Sequence, residues 1–141
     1  MSFNSSQPIG IFDSGIGGLT VADAVTKLLP NESIIYFGDT AHAPWGDKSA
    51  AAIQAYSIKI CDMLLKQNCK LILIACNSAS AVAYELVKEY VGRKAIVMDV
   101  INPMIDYLAK NYIDKTIGLI ETKQTVNSNI YRKKLDELGI N

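Results

Sequence analysis

Cys76 stands in the run Leu71-Ile72-Leu73-Ile74-Ala75-Cys76-Asn77-Ser78-Ala79-Ser80, where an apolar stretch gives way to polar residues. That change marks a buried strand handing over to a helix. A thiol at a helix N-terminus can be held as a reactive thiolate. Asn77, Ser78 and Ser80 add hydrogen-bonding groups for an anionic ligand at the same spot. The plainer reading of Cys76 is an inert, buried strand-end thiol; the polar residues that follow it favour the functional one. A second loop, Asp13-Ser14-Gly15-Ile16-Gly17-Gly18, has a related design. Its glycines let the backbone turn sharply, and it opens a helix whose free N–H groups would point at a ligand. It is not the dinucleotide fingerprint, because the glycine spacing is wrong. The bland alternative is a tight turn capped by Asp13 or Ser14. Together the two loops suggest a site that binds a small acid and does chemistry with sulfur.

Two more polar clusters follow apolar runs. Gly38-Asp39-Thr40-Ala41-His42-Ala43-Pro44-Trp45-Gly46 is long, carries an aromatic near its tip and ends in a Pro-X-Gly turn. Loops of this kind often position a ligand. His42 has no visible partner and reads as a solvated loop residue before it reads as an acid or base. Trp45 is expected to pack over a cleft, and Asp39 to cap the loop. Glu121-Thr122-Lys123-Gln124-Thr125 ends the last apolar run. Thr122 and Thr125 could cap the final helix or donate to a carboxylate.

The elements that must hold these loops are legible as period. Five apolar runs, 9–12, 33–37, 71–75, 95–98 and 116–120, are rich in Ile, Val and Leu with little alternation. That pattern predicts strands buried on both faces. Between them, Ile53, Tyr56, Ile60, Met63 and Leu64 mark one face of a helix, and Val82, Ala83, Leu86 and Tyr90 mark another. Ser49 is the predicted N-cap of the first of these, Pro103 fits the first turn of a helix behind Asn102, and a last helix over 126–138 should stop at Gly139. The βα alternation predicts an open parallel sheet flanked by helices, with ligands at the carboxyl ends of its strands. The domain reading is a first α/β domain over 1–98 and the incomplete beginning of a second over 99–141.

Composition removes several classes of partner. Half of the 141 residues are hydrophobic, which supplies a core and argues against disorder. Lys plus Arg and Asp plus Glu balance at 14 each, which gives neither a nucleic-acid footprint nor a polybasic membrane signal. The apolar runs are strand-sized, far short of a membrane span. Residues 1–8 are polar, without the pattern of a secretory signal. The three cysteines, Cys61, Cys69 and Cys76, match no zinc spacing. The expectation is a cytoplasmic protein with reduced thiols, in which Cys61 and Cys69 are structural.

The four loops, in this order, resemble glutamate racemase of the aspartate/glutamate racemase superfamily. The matching stretches are Ile11 to Val21, Tyr36 to Ala41 with Pro44-Trp45-Gly46, Ala75 to Ser80, and Thr122 with Thr125 to Ser128 and Tyr131. The resemblance implies interconversion of L- and D-glutamate without pyridoxal phosphate, metal or nucleotide, supplying D-glutamate for peptidoglycan. It implies two cysteines facing each other across the substrate, one taking the Cα proton and the other returning one. Cys76 would be the N-terminal member, acting on D-glutamate, and Asp13 would assist its proton exchange. Asp13, Ser14, Trp45, Gly46, Asn77 and Ser78 would contact the substrate, with Thr122 and Thr125 as further donors.

The family's second cysteine lies in a Gly-Cys-Thr-His type motif that has no counterpart here, and Cys61 and Cys69 do not stand in its place. The resemblance therefore implies a truncated chain, inactive alone, with any homo-oligomer belonging to the full-length form. Trp45 replaces a usual tyrosine, Ser78 a threonine and Glu121 a glycine. An extra carboxylate at 121 would repel a dianionic substrate unless it turns away. The alternatives are an aspartate racemase-like relative, or a non-catalytic remnant that only binds a small acid or a partner.

Overall fold

The computed structural model describes residues 4, 6–113 and 115–140; the N-terminal stretch read above as free of a secretory signal lies partly outside them. Four strands form one parallel sheet in the order β2-β1-β3-β4. They are β1 (Ile9–Asp13), β2 (Ile34–Gly38), β3 (Leu71–Ile74) and β4 (Ile96–Asp99). The predicted strands are therefore present, except the run at 116–120. That run pairs with nothing among the described residues, and its Ile120 is 97% exposed. β-rich composition alone cannot make a strand, because the backbone groups need a neighbouring edge to pair with.

Helix α1 (Leu19–Leu28) covers one face of the sheet, where Ile9 and Ile11 pack with Ala22, Val21 and Val25. Helices α2 (Ala50–Lys66) and α3 (Asn77–Val91) cover the other, closing over Phe12, Ile72 and Ile74. Burial on both faces, predicted for every strand, holds along the whole of β1, while edge strand β2 is only half-buried. Edge strand β4 instead leaves Ile96 and Met98 exposed. Ser49 caps α2 by accepting from Ala52 N–H at 3.2 Å.

The helix faces are rotated from the predicted ones. α2 buries Ile53, Ser57, Ile60, Cys61 and Leu64, while Met63 is exposed. α3 buries Ala79, Ala83, Val87 and Val91, and Leu86 and Tyr90 point out. Side-chain size decides this: the small residues let α3 approach the sheet closely, and the large ones would overpack it. Each fully buried Ile or Leu stabilises the fold by roughly 1.5–3 kcal/mol.

Beyond β4, α4 (Ile101–Asn111) starts one residue before Asn102. Buried Asp99 caps it, accepting from Ile101 N–H at 3.2 Å and Asn102 N–H at 3.3 Å. The predicted last helix is two, α5 (Lys123–Ser128) and α6 (Ile130–Glu137). Asn129 separates them in the left-handed region at φ 56°, which Asn tolerates better than most residues. Gly139, at φ 70°, follows α6 as expected. Ile101, Ile105 and Tyr131 form a small separate core between α4 and α6. No helix among the described residues is long and apolar enough to cross a membrane.

Candidate active site

β1 lies between β2 and β3, so the chain leaves its carboxyl end on one side and returns on the other. Crevices open at such a switch point. The register sets who meets whom there. Phe12 lies opposite Ile74, and Ala75 N–H donates to Phe12 C=O at 2.8 Å. Continuing that pairing places Cys76 beside Ser14, and Cys76 Sγ is 3.5 Å from Ser14 Oγ. The cysteine is the residue immediately before α3, as read from the sequence.

Ser14 Oγ is in turn 3.4 Å from Asp13 Oδ1, a long contact. The other carboxylate oxygen of buried Asp13 accepts Gly18 N–H at 2.9 Å and Gly15 N–H at 3.2 Å. This corrects one expectation: two N–H groups of the glycine loop are spent on Asp13 and are not free for a ligand. The glycines serve approach instead. A Cβ on Gly18 would sit 2.6 Å from the Asp13 Cβ, and one on Gly38 would collide with the Gly15 carbonyl. Tyr36 braces the loop from β2, its hydroxyl donating to Gly15 C=O at 3.0 Å.

Asp13, Ser14, Trp45, Gly46, Cys76, Asn77, Ser78 and Thr122 line one cleft of about 550 Å³, which is large enough for a small dicarboxylic acid. Thr125 is not in the wall. It is buried behind Thr122, with their hydroxyls 3.1 Å apart. Thr122 also lies 2.8 Å from Ser78 Oγ, and Gly46 packs flat on its side chain. Trp45 is 1% exposed, tilted against Tyr56 at 5.6 Å between ring centres. It is a wall of the cleft built into the core and not a flap over it.

His42 differs from expectation. Its Nδ1 is 2.8 Å from Asp39 Oδ1, and its ring stacks on Tyr56 at 4.4 Å. It does not line the cleft. Cys61 and Cys69 are buried away from it, and burial pushes the Cys61 thiol up to about 12.

Cys76 itself is held as a thiol. Burial pushes its pKa above the ordinary value, and the Asp13 charge adds to that; the Ser14 hydroxyl and the backbone amides of Ala79 and Ser14 pull the other way. The helix N-terminus thus offsets the desolvation without overcoming it, contrary to the expectation of a resting thiolate. Glu121 also lines the cleft, and burial raises its carboxyl against a smaller opposing pull from the Thr122 backbone N–H.

Tyr131 belongs to the stretches that carry the resemblance, but the sequence reading assigns it no contact or role. Its hydroxyl donates to Asn77 Oδ1 at 2.9 Å. The signal was its place on the helix that follows Thr122, but only the fold brings it to Asn77.

The architecture and cleft define an open parallel α/β domain with a single cysteine lining the cleft at the carboxyl ends of its strands. No protein-family model matches the chain. It is 44% identical over 134 residues to glutamate racemase of Streptococcus sanguinis (strain SK36), covering 95% of this chain and 50% of that relative. It is 45% identical over 129 residues to glutamate racemase of Neisseria meningitidis serogroup C, covering 92% and 47%. Glutamate racemase from Aquifex pyrophilus superposes with a TM-score of 0.89 at 40% identity, over 95% of this chain and 52% of that one. Glutamate racemase from Francisella tularensis, solved in complex with D-glutamate, gives 0.86 at 42% identity, over 96% and 50%. The chain is a homologue of the glutamate racemases in sequence and in fold, and it spans about half the length of the relatives it matches.

Proposed function

We propose that this chain forms one side of a cofactor-independent glutamate racemase site, in which Cys76 handles the Cα proton of D-glutamate. The observation that carries the reading is the contact of Cys76 Sγ with Ser14 Oγ at the floor of the cleft, beside buried Asp13. The Cα–H of an amino acid is a very weak acid. Its removal needs donors already aimed at the carboxylate and a base in contact with the carbon, in a cleft that excludes water. Asn77, Ser78, Thr122 and the backbone at Trp45-Gly46 supply the donors, with Thr125 holding Thr122. Asp13 takes up the thiol proton through Ser14.

One thiol can exchange the proton from one face only, so a second base opposite Cys76 completes inversion in the whole enzyme. Such an enzyme would supply D-glutamate for peptidoglycan in the cytoplasm. In this reading residues 1–98 are the first domain, and residues 99–141 begin a second. Cys76 is the one cysteine among the described residues that lines the cleft, which favours a second reading, in which the chain binds a small acid without turning it over. An aspartate-type substrate belongs to the same comparison.

Titration calorimetry with D-glutamate, L-glutamate and aspartate tests the site. Binding that favours glutamate is expected, and no heat with any of the three sinks the proposal. Incubation of D-glutamate with the chain in deuterium oxide separates the readings: Cα label supports Cys76 as a base, and binding without label supports the binding-only role.

A further inference from the structure

Asn77 faces the cleft at the first turn of α3, and its side-chain amide can present either a donor or an acceptor there. Its orientation is decided from behind. Tyr131 is 6% exposed, and its hydroxyl lies 2.9 Å from the Asn77 side-chain oxygen. A buried phenol proton needs an acceptor, and among the described residues Asn77 Oδ1 is the one within hydrogen-bond reach. Turning the amide over would leave that proton without a partner. Burial, with the charges of Glu121 and Asp99, pushes the Tyr131 hydroxyl up to about 12, so it remains a donor through the neutral range.

We infer that Tyr131 is a positioning residue, whose hydroxyl holds the Asn77 oxygen so that the Asn77 NH₂ is left to donate into the cleft toward a carboxylate. This rests on the acid-binding site proposed above. The carboxylate side of the ligand thereby gains a neutral donor that does not change with pH, in a cleft where Glu121 and Asp13 are acidic. The same contact makes the site sensitive to α6, because Tyr131 packs with Ile101 and Ile105 and not with the sheet.

The test is a double-mutant cycle on the 141-residue chain, read two ways. Tyr131→Phe keeps the ring and removes only the hydroxyl. In ¹⁵N-labelled protein the Asn77 side-chain NH₂ resonances are expected to move toward those of a free amide and to exchange faster with water. D-glutamate affinity is expected to fall about tenfold, the size of a lost charge-assisted hydrogen bond. Asn77→Ala should weaken binding at least as much, and adding Tyr131→Phe to it should cost nothing further. A merely structural Tyr131 would give additive losses. Unchanged Asn77 amide resonances in Tyr131→Phe, or additive losses in affinity, overturn the inference. If Tyr131→Phe does not fold, Asn77→Asp replaces it: the oxygen facing Tyr131 stays and the donor is lost, so D-glutamate affinity must drop as in Asn77→Ala, and retained affinity overturns the inference. If the parent chain binds no D-glutamate, the acid-site proposal falls, while the amide resonances still decide whether Tyr131 holds Asn77.

Discussion

The Ser78 hydroxyl lies 2.8 Å from that of Thr122, joining the first turn of α3 to the cap of α5 across 44 residues of chain. Thr122 serves both ends. Its oxygen caps α5 by accepting Thr125 N–H at 3.4 Å, and it meets the Thr125 hydroxyl at 3.1 Å. The strandless stretch before it leaves Ile120 in solvent, so this hydroxyl chain is a main anchor of the cleft wall that Thr122 forms.

Thr122→Val therefore removes a cap and a bridge while keeping the side-chain volume. A loss of about 1–2 kcal/mol is expected from the cap and the buried hydroxyls it leaves unpaired. Urea unfolding measures it. Hydrogen exchange adds the location: amides of α5 should lose protection ahead of those of β1 and β3. A change within a few tenths of a kcal/mol, with α5 still protected, would show that the bridge contributes nothing.

Two glycines of the first loop should respond differently to the same added methyl. At Gly18 a Cβ would meet the Asp13 Cβ at 2.6 Å and the Ala75 Cβ at 3.0 Å, neither of which can swing away. At Gly15 nothing lies within 4 Å. Gly18→Ala should cost about 1–3 kcal/mol through overpacking and displace Asp13 from its 2.9 Å bond to the Gly18 N–H. Gly15→Ala should stay within about 0.5 kcal/mol, as a surface change. Equal thermal midpoints for the two variants would contradict the packing described.

The contrast between those glycines shows what a sequence can carry. Cys76 at a strand end, Asp13-Ser14 after β1 and Ser49 as a cap are legible because local chemistry decides them. Sheet order and the Cys76–Ser14 contact follow from parallel pairing once the strands are known. The rotated faces of α2 and α3 are not legible, since Leu86 reads as more hydrophobic than Ala79 and only the space beside the sheet reverses that choice. Nor is the failure of 116–120 to pair, which depends on a neighbouring edge and not on its own Ile and Leu. The Tyr131–Asn77 bond joins residues 54 apart and has no local signature.

The reactivity of Cys76 should rise with pH. Its pKa lies above the ordinary value of 9.0, so the thiol predominates at pH 7, and alkylation followed by peptide mass spectrometry should still be accelerating past pH 9. Ser14→Ala removes a donor that favours the thiolate and should move the profile up; Asp13→Asn removes a like charge and should move it down. The same shift carries a stability sign. The folded state holds the Cys76 and Cys61 protons more tightly than the unfolded one does, so stability is complete below the ordinary thiol value and is lost as pH rises through the folded ones. A Cys76 alkylation midpoint below 9 would contradict the dominance of burial at this sulfur.

Glu121 sets a further pH dependence, this time on binding. Its carboxyl lines the cleft and is raised by burial, so it titrates above the usual carboxylate value. A ligand carboxylate facing Glu121 in that cleft disfavours the charged form again, which couples binding to proton uptake at Glu121. Affinity for D-glutamate should therefore be greatest below the Glu121 pKa and fall as pH rises through it. Two unit charges ~4 Å apart repel by about 1 kcal/mol in water and more in a partly buried site. Glu121→Gln keeps the shape and removes the charge, and at pH values where the parent carboxyl is ionised it should tighten D-glutamate binding by roughly three- to tenfold. It should also flatten the affinity profile in the acid range. Calorimetric titrations at several pH values, in buffers of different ionisation enthalpy, read both the affinity and the proton uptake. Unchanged affinity in Glu121→Gln with no proton uptake in the parent chain would mean that the Glu121 carboxylate turns to solvent when the acid binds.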